Sequence, residues 1–136
     1  MLSTQNSNTL VPLFEFPVMA GFPSPAEPYV EASLDLHRHL VRRPAATFFL
    51  RAAGDSMLEA GIRPGDILVV DRSLPARDGS VVIAAVGNEF TVKYLRRDQQ
   101  GLRLEAANDK YKPLVFAEGE ELLLFGVVTA VIHEYA

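Results

Sequence analysis

Ser80-Val81-Val82-Ile83-Ala84-Ala85-Val86-Gly87-Asn88-Glu89-Phe90-Thr91-Val92-Lys93-Tyr94-Leu95-Arg96-Arg97 is the stretch that decides the fold. Two runs rich in branched and aromatic residues, 80–86 and 89–97, flank Gly87-Asn88. A two-residue turn of that kind between strand-forming runs predicts a β-hairpin. Outward from the hairpin the same chemistry repeats. Residues 47–53 are aromatic and branched, 67–71 form a short apolar run, 102–107 follow Gly101, and 121–133 close the chain. Turn clusters at Arg63-Pro64-Gly65-Asp66, 75–79 and 98–101 separate these runs at spacings suited to a compact antiparallel β domain. There is no internal repeat and no low-complexity tract. The fold class is mainly β.

Helix is scarce in this pattern. Residues 29–41 carry a weak helical periodicity, with Asp35 as a candidate N-cap and Pro44 just beyond the end. That segment predicts the one helix longer than two turns. Ahead of it, five of the nine prolines stand at positions 12, 17, 23, 25 and 28. Proline fixes φ and biases its predecessor toward extended geometry, so residues 1–28 read as an extended arm. Leu10, Val11, Leu13, Phe14, Phe16, Val18, Met19 and Phe22 give the arm apolar surface to dock with. A detachable element and a fixed edge segment both suit this description. The division expected is therefore an arm over 1–28 and a β-rich domain over 29–136.

Composition narrows the function. The 136 residues are 49% hydrophobic and 22% charged, values of an ordinary globular chain. Thirteen Lys and Arg against 17 Asp and Glu leave a net charge of -4. A protein that holds DNA through its phosphates carries a basic excess, so direct sequence-specific DNA binding is not expected. The absence of cysteine removes disulfides, thiol catalysis and Cys-ligated zinc together. The longest apolar run, 122–132, is too short to span a bilayer and is interrupted by Gly126 and Thr129. Val18-Met19-Ala20 superficially resembles a signal-peptidase site. No Lys or Arg precedes Arg38, however, and Pro12, Glu15 and Pro17 break any apolar stretch. The expectation is a cytoplasmic protein with no membrane partner.

Among possible nucleophiles, Ser56 in Gly54-Asp55-Ser56-Met57 sits where a strand gives way to a turn. Such a junction can project a hydroxyl while nearby N–H groups stay free for an oxyanion. Gly-Asp-Ser is also a common turn with no chemistry at all. His37, His39 and His133 form no triad-like cluster and read as surface or cap residues, so neither a metal nor another cofactor is expected. Ten of the thirteen basic residues are arginine. Lys110 and Lys112 flank Tyr111 in a polar stretch that reads as solvated surface. Lys93 lies inside a strand that is at least half apolar. Buried, it would have a lowered pKa and could act as a base; on the wet face its head would reach water, which is the commoner arrangement. Arg38, Arg42 and Arg43, and the pair Arg96 and Arg97, read as solvated faces. Phe48, Phe49 and Phe90 read as core residues rather than stacking platforms.

Taken in order, these pieces resemble the LexA/UmuD family of self-cleaving Ser-Lys peptidases. The likeness is carried by Gly54-Asp55-Ser56-Met57, Gly61-Ile62, Gly65-Asp66, Leu68-Val69-Val70-Asp71, Asp78-Gly79, Val82-Ile83-Ala84-Ala85-Val86 and Glu89-Phe90-Thr91-Val92-Lys93. Gly21-Phe22-Pro23-Ser24-Pro25 and Tyr29-Val30-Glu31 in the arm, and Phe125-Gly126-Val127-Val128 near the end, extend it. The resemblance implies Ser56 as nucleophile, Lys93 as general base and cleavage between Ala20 and Gly21, without metal or cofactor. Small residues on both sides of that bond suit a tight site, and alanine stands where the best-known UmuD proteins have cysteine. It further implies stimulation by the RecA filament on single-stranded DNA. The trimmed product would form a homodimer that joins a UmuC-type Y-family translesion DNA polymerase in the SOS response.

Three other readings compete. A non-catalytic adaptor that binds a polymerase or single-stranded nucleic acid would leave Ser56 in an idle turn. A signal-peptidase-like protease would be expected to carry a membrane anchor. A self-cleaving repressor would need a helix-turn-helix domain ahead of the arm, and the 20 residues before Gly21 are expected to leave no room for one.

Overall fold

The computed structural model describes residues 9–14, 18, 30–117 and 119–135. The chain divides into two compact units, residues 1–42 and 43–136. In the first, β1 (Leu10–Phe14) pairs antiparallel with β2 (Val30–Asp35), from Leu10 opposite Asp35 to Leu13 opposite Ala32. Pro12 falls inside β1 opposite Ser33. Both strands of a two-stranded sheet are edge strands, which is where a strand accommodates proline.

Asp35 caps the helix that follows, α1 (Leu36–Leu40), and its side chain accepts the Arg38 N–H at 3.2 Å. The helix is five residues long, so the longer helix expected over 29–41 is corrected. Its first half is β2. Val30 and Ser33 are weak helix formers, and ladder bonds to β1 decide the conformation until the Asp35 cap allows one turn.

The second unit is one antiparallel sheet of seven strands. These are β3 (Thr47–Arg51), β4 (Ile67–Asp71), β5 (Val81–Val86), β6 (Glu89–Asp98), β7 (Gly101–Glu105), β8 (Leu114–Phe116) and β9 (Leu123–Ile132). Their spatial order is β3-β4-β9-β5-β6-β7-β8. The decisive hairpin forms as read, with Val81 opposite Tyr94 and Val86 opposite Glu89. Gly87 takes φ 63° while Asn88 does not go positive, the pattern of a type II′ turn. β8 was not anticipated. It is three residues long, lies between Pro113 and a turn, and pairs Leu102 with Phe116.

β5 is buried on both faces because it is a central strand. Val82 and Ala84 join Leu95 and Leu104 in one cluster. Ile83, pointing the other way, joins Ala52, Met57, Ile62, Leu68, Val70 and Ala107 in the second. Phe48 packs on that second cluster, but Phe49 and Phe90 are exposed, which corrects their reading as core residues. Strand alternation turns Phe49 away from its neighbour, and Phe90 sits one residue from the hairpin turn. β9 can pass between β4 and β5 because position 126 is glycine. A Cβ there would lie 2.6 Å from the Val70 Cγ1 and 3.1 Å from the Asp71 carbonyl oxygen. Among the described residues no helix is long and apolar enough to cross a membrane.

Candidate active site

The chain leaves β3 through Ala52 and Ala53, and Gly54 (φ 77°) starts the turn that carries Ser56. Met57, the next residue, is 2% exposed and anchors the turn in the core. Its carbonyl accepts the Ala60 and Ile62 N–H groups, each at 3.1 Å. Gly61 then reverses the chain in the left-handed region at φ 84°. Ser56 is thus half-buried on a short loop pinned immediately behind it.

Lys93 stands in the middle of β6, opposite Val82. Its Nζ lies 3.0 Å from the Ser56 Oγ, 2.5 Å from the Thr91 Oγ1 and 3.2 Å from the Val92 carbonyl oxygen. All three partners are neutral. Desolvation therefore goes uncompensated, and burial pushes the Lys93 pKa below the ordinary lysine value. A charged ammonium donates along the 3.0 Å contact; a neutral amine accepts the Ser56 hydroxyl proton along the same line.

Beside the pair opens a cleft of about 150 Å³, lined among others by Leu50, Ala52, Ala53, Phe90 and Val92. Its walls are mostly apolar side chains, joined by Arg51, Ser56 and Thr91, and Phe90 packs edge-on to Phe125 at 4.6 Å between centroids. The Ser56 and Met57 N–H groups take part in no hydrogen bond among the described residues. The site therefore sets a mostly apolar cleft beside a hydroxyl, an amine and backbone donors that make no other bond among the described residues.

The other candidates fall elsewhere. His37 and His39 lie on α1, exposed. His133 contacts the buried Asp66 at 2.5 Å, a structural link between the end of β9 and the turn before β4. No group of metal-ligating side chains occurs among the described residues. Ala20 and Gly21 lie outside the described residues.

One feature escaped the sequence reading. The stretch around Lys110 and Lys112 is exposed as expected, yet Asn108 and Tyr111 within it bond to Asp55, the neighbour of Ser56. A polar turn carries no sequence signal of a partner more than fifty residues away.

A β domain that turns a serine toward a half-buried lysine at the edge of an apolar cleft has the architecture of a peptidase domain. Residues 12–129 match the Peptidase S24-like family, and the chain belongs to that family. It is 50% identical to protein SamA of Salmonella typhimurium over 123 residues, 90% of this chain and 85% of SamA. It is 48% identical to protein ImpA of Escherichia coli over 123 residues, 90% of this chain and 83% of ImpA. To the LexA repressor of Sorangium cellulosum it is 39% identical over 119 residues, 86% of this chain and 52% of the repressor. The family resemblance drawn from the glycine, serine and lysine motifs is borne out.

Proposed function

We propose that the protein is a self-cleaving serine endopeptidase in which Ser56 is the nucleophile, Lys93 the general base and the bond between Ala20 and Gly21 the substrate. The observation that carries this reading is the 3.0 Å contact between the Lys93 Nζ and the Ser56 Oγ beside an apolar cleft. Ser56 Oγ attacks the Ala20 carbonyl carbon while its proton passes to neutral Nζ. The Ser56 and Met57 N–H groups, which make no other hydrogen bond among the described residues, would donate to the developing oxyanion. The C–N bond then breaks as the Gly21 nitrogen takes the proton from Nζ. A water, deprotonated in turn by Nζ, hydrolyses the ester and restores the serine. A substrate tethered to its own catalyst has a high effective concentration, so a weak base suffices.

The resemblance supplies the setting. The RecA filament on single-stranded DNA would favour the conformation with the arm in the cleft. The trimmed chain would form a homodimer and join a UmuC-type translesion polymerase in the cytoplasm. Incubation at alkaline pH followed by intact-mass measurement tests the chemistry. One cut is expected, with the large fragment beginning Gly21-Phe22-Pro23, and Ala20→Trp should block it sterically. A different new N-terminus overturns the assignment, and a chain that stays whole, also with RecA, nucleotide and single-stranded DNA, favours the non-catalytic adaptor.

A further inference from the structure

Residues on both sides of Ser56 are held by a segment far away in sequence. Asn108 Nδ2 donates to the Asp55 carbonyl oxygen at 2.8 Å, and the Tyr111 hydroxyl donates to the Asp55 Oδ1 at 2.5 Å. On the other flank the Ala107 N–H meets the Met57 Sδ at 3.3 Å, and the Ala107 carbonyl accepts the Glu59 N–H at 2.8 Å. The stretch 107–111 thus fixes residues 55, 57 and 59 and leaves only the Ser56 side chain to turn toward Lys93. Of these four ties one, from the Glu59 N–H to the Ala107 carbonyl, is a backbone bond that any residue could make, and one uses the Met57 thioether. Asn108 and Tyr111 are different, because their side chains reach Asp55, the residue directly ahead of Ser56.

We propose that Asn108 and Tyr111 are positioning residues that clamp Asp55 at its carbonyl and its carboxylate and so hold the Ser56 hydroxyl on Lys93. The proposal rests on Ser56 acting as the nucleophile. Without the clamp the Asp55 carbonyl keeps only the long 3.4 Å bond from the Leu58 N–H, and a displacement of the hydroxyl by about 1 Å is enough to slow a positioned reaction by roughly 100-fold. Tyr111 is 44% exposed, so its hydroxyl contributes little to the core and can be removed without unfolding the domain.

The test uses the full-length chain with Tyr111→Phe, Asp55→Ala, the double variant and Ser56→Ala. Two rates are read on folded protein well below its melting temperature: self-cleavage across pH 7 to 10, and covalent labelling of Ser56 by a small fluorophosphonate, which needs no arm. Tyr111→Phe should slow both by roughly 10- to 100-fold. The pH of half-maximal cleavage should not move, because the clamp sets position and not the acidity of Lys93. Adding Tyr111→Phe to Asp55→Ala should cost nothing further, since the hydroxyl acts through that carboxylate. Asn108→Asp, which keeps an oxygen but loses the donor, should slow labelling as Tyr111→Phe does. Wild-type labelling in Tyr111→Phe, or a slowing that survives in the Asp55→Ala background, overturns the clamp. A loss of rate that only follows the unfolded fraction does the same. If Ser56→Ala still sheds its arm, the self-cleavage reading falls, and the labelling rates alone decide the clamp.

Discussion

Lys93→Arg keeps the positive charge and removes the ability to lose it, which isolates the role assigned to the amine. An ordinary lysine with pKa 10.5 is neutral in about 1 molecule in 3,000 at pH 7. Burial beside three neutral partners lowers the Lys93 pKa, so the neutral fraction at pH 7 exceeds that figure. Below the inflection, each pH unit multiplies the neutral amine about ten-fold. Wild-type self-cleavage should follow, slow at pH 7, rising about ten-fold per unit, and levelling off below pH 10.5. Guanidinium does not deprotonate in this range, so Lys93→Arg should lose roughly 1,000-fold or more at every pH. Ser56→Ala should be equally inactive, and the double variant no worse than either single one, because the pair works as a unit. The assay is intact-mass quantification of arm loss against time from pH 7 to 11, with circular dichroism confirming the fold. A folded Lys93→Arg chain that cuts itself at pH 10 refutes the reasoning. So does a wild-type profile that is flat between pH 7 and 10.

Stability offers independent checks. Because the Lys93 pKa is lowered on folding, the charged form penalises the folded state below the folded pKa, and the penalty fades as pH rises toward 10.5. Lys93→Met should therefore melt no lower than wild type at pH 7, and its advantage should shrink by pH 11, read by thermal denaturation. Gly126→Ala forces a methyl to within 2.6 Å of Val70 and against the Asp71 backbone. It should cost about 1–3 kcal/mol in urea unfolding, and a neutral result would mean β9 shifts freely. The Arg63 N–H at 2.8 Å, together with His133, holds the Asp66 carboxyl below the usual carboxylate range. Its contribution is present above about pH 4 and is lost as pH falls through the folded pKa. Asp66→Asn should flatten the fall of the urea midpoint between pH 5 and 2; an unchanged slope would remove this carboxylate as a cause of acid instability.

Sequence by itself determined what is local. The hairpin of β5 and β6 follows from two runs of branched and aromatic residues around Gly87-Asn88, since turn geometry and register are set by adjacent residues. The cap at Asp35 was legible for the same reason, because its side chain bonds an N–H three residues on. The resemblance of separate motifs also named Ser56 and Lys93 together. What only the tertiary structure decided is long-range. The residues alone left Lys93 open between the wet face and the buried one, and the β3 loop lying against β6 settles it at half-buried, 3.0 Å from Ser56. The 29–41 segment became a strand first because β1, not its own propensity, supplies the competing bonds. The last strand runs between β4 and β5, a place in the sheet that no local pattern encodes. The bonds from Asn108 and Tyr111 to Asp55 join residues 53 and 56 positions apart. Such contacts depend on where whole strands pack, and packing is a property of the assembled core rather than of any stretch within it.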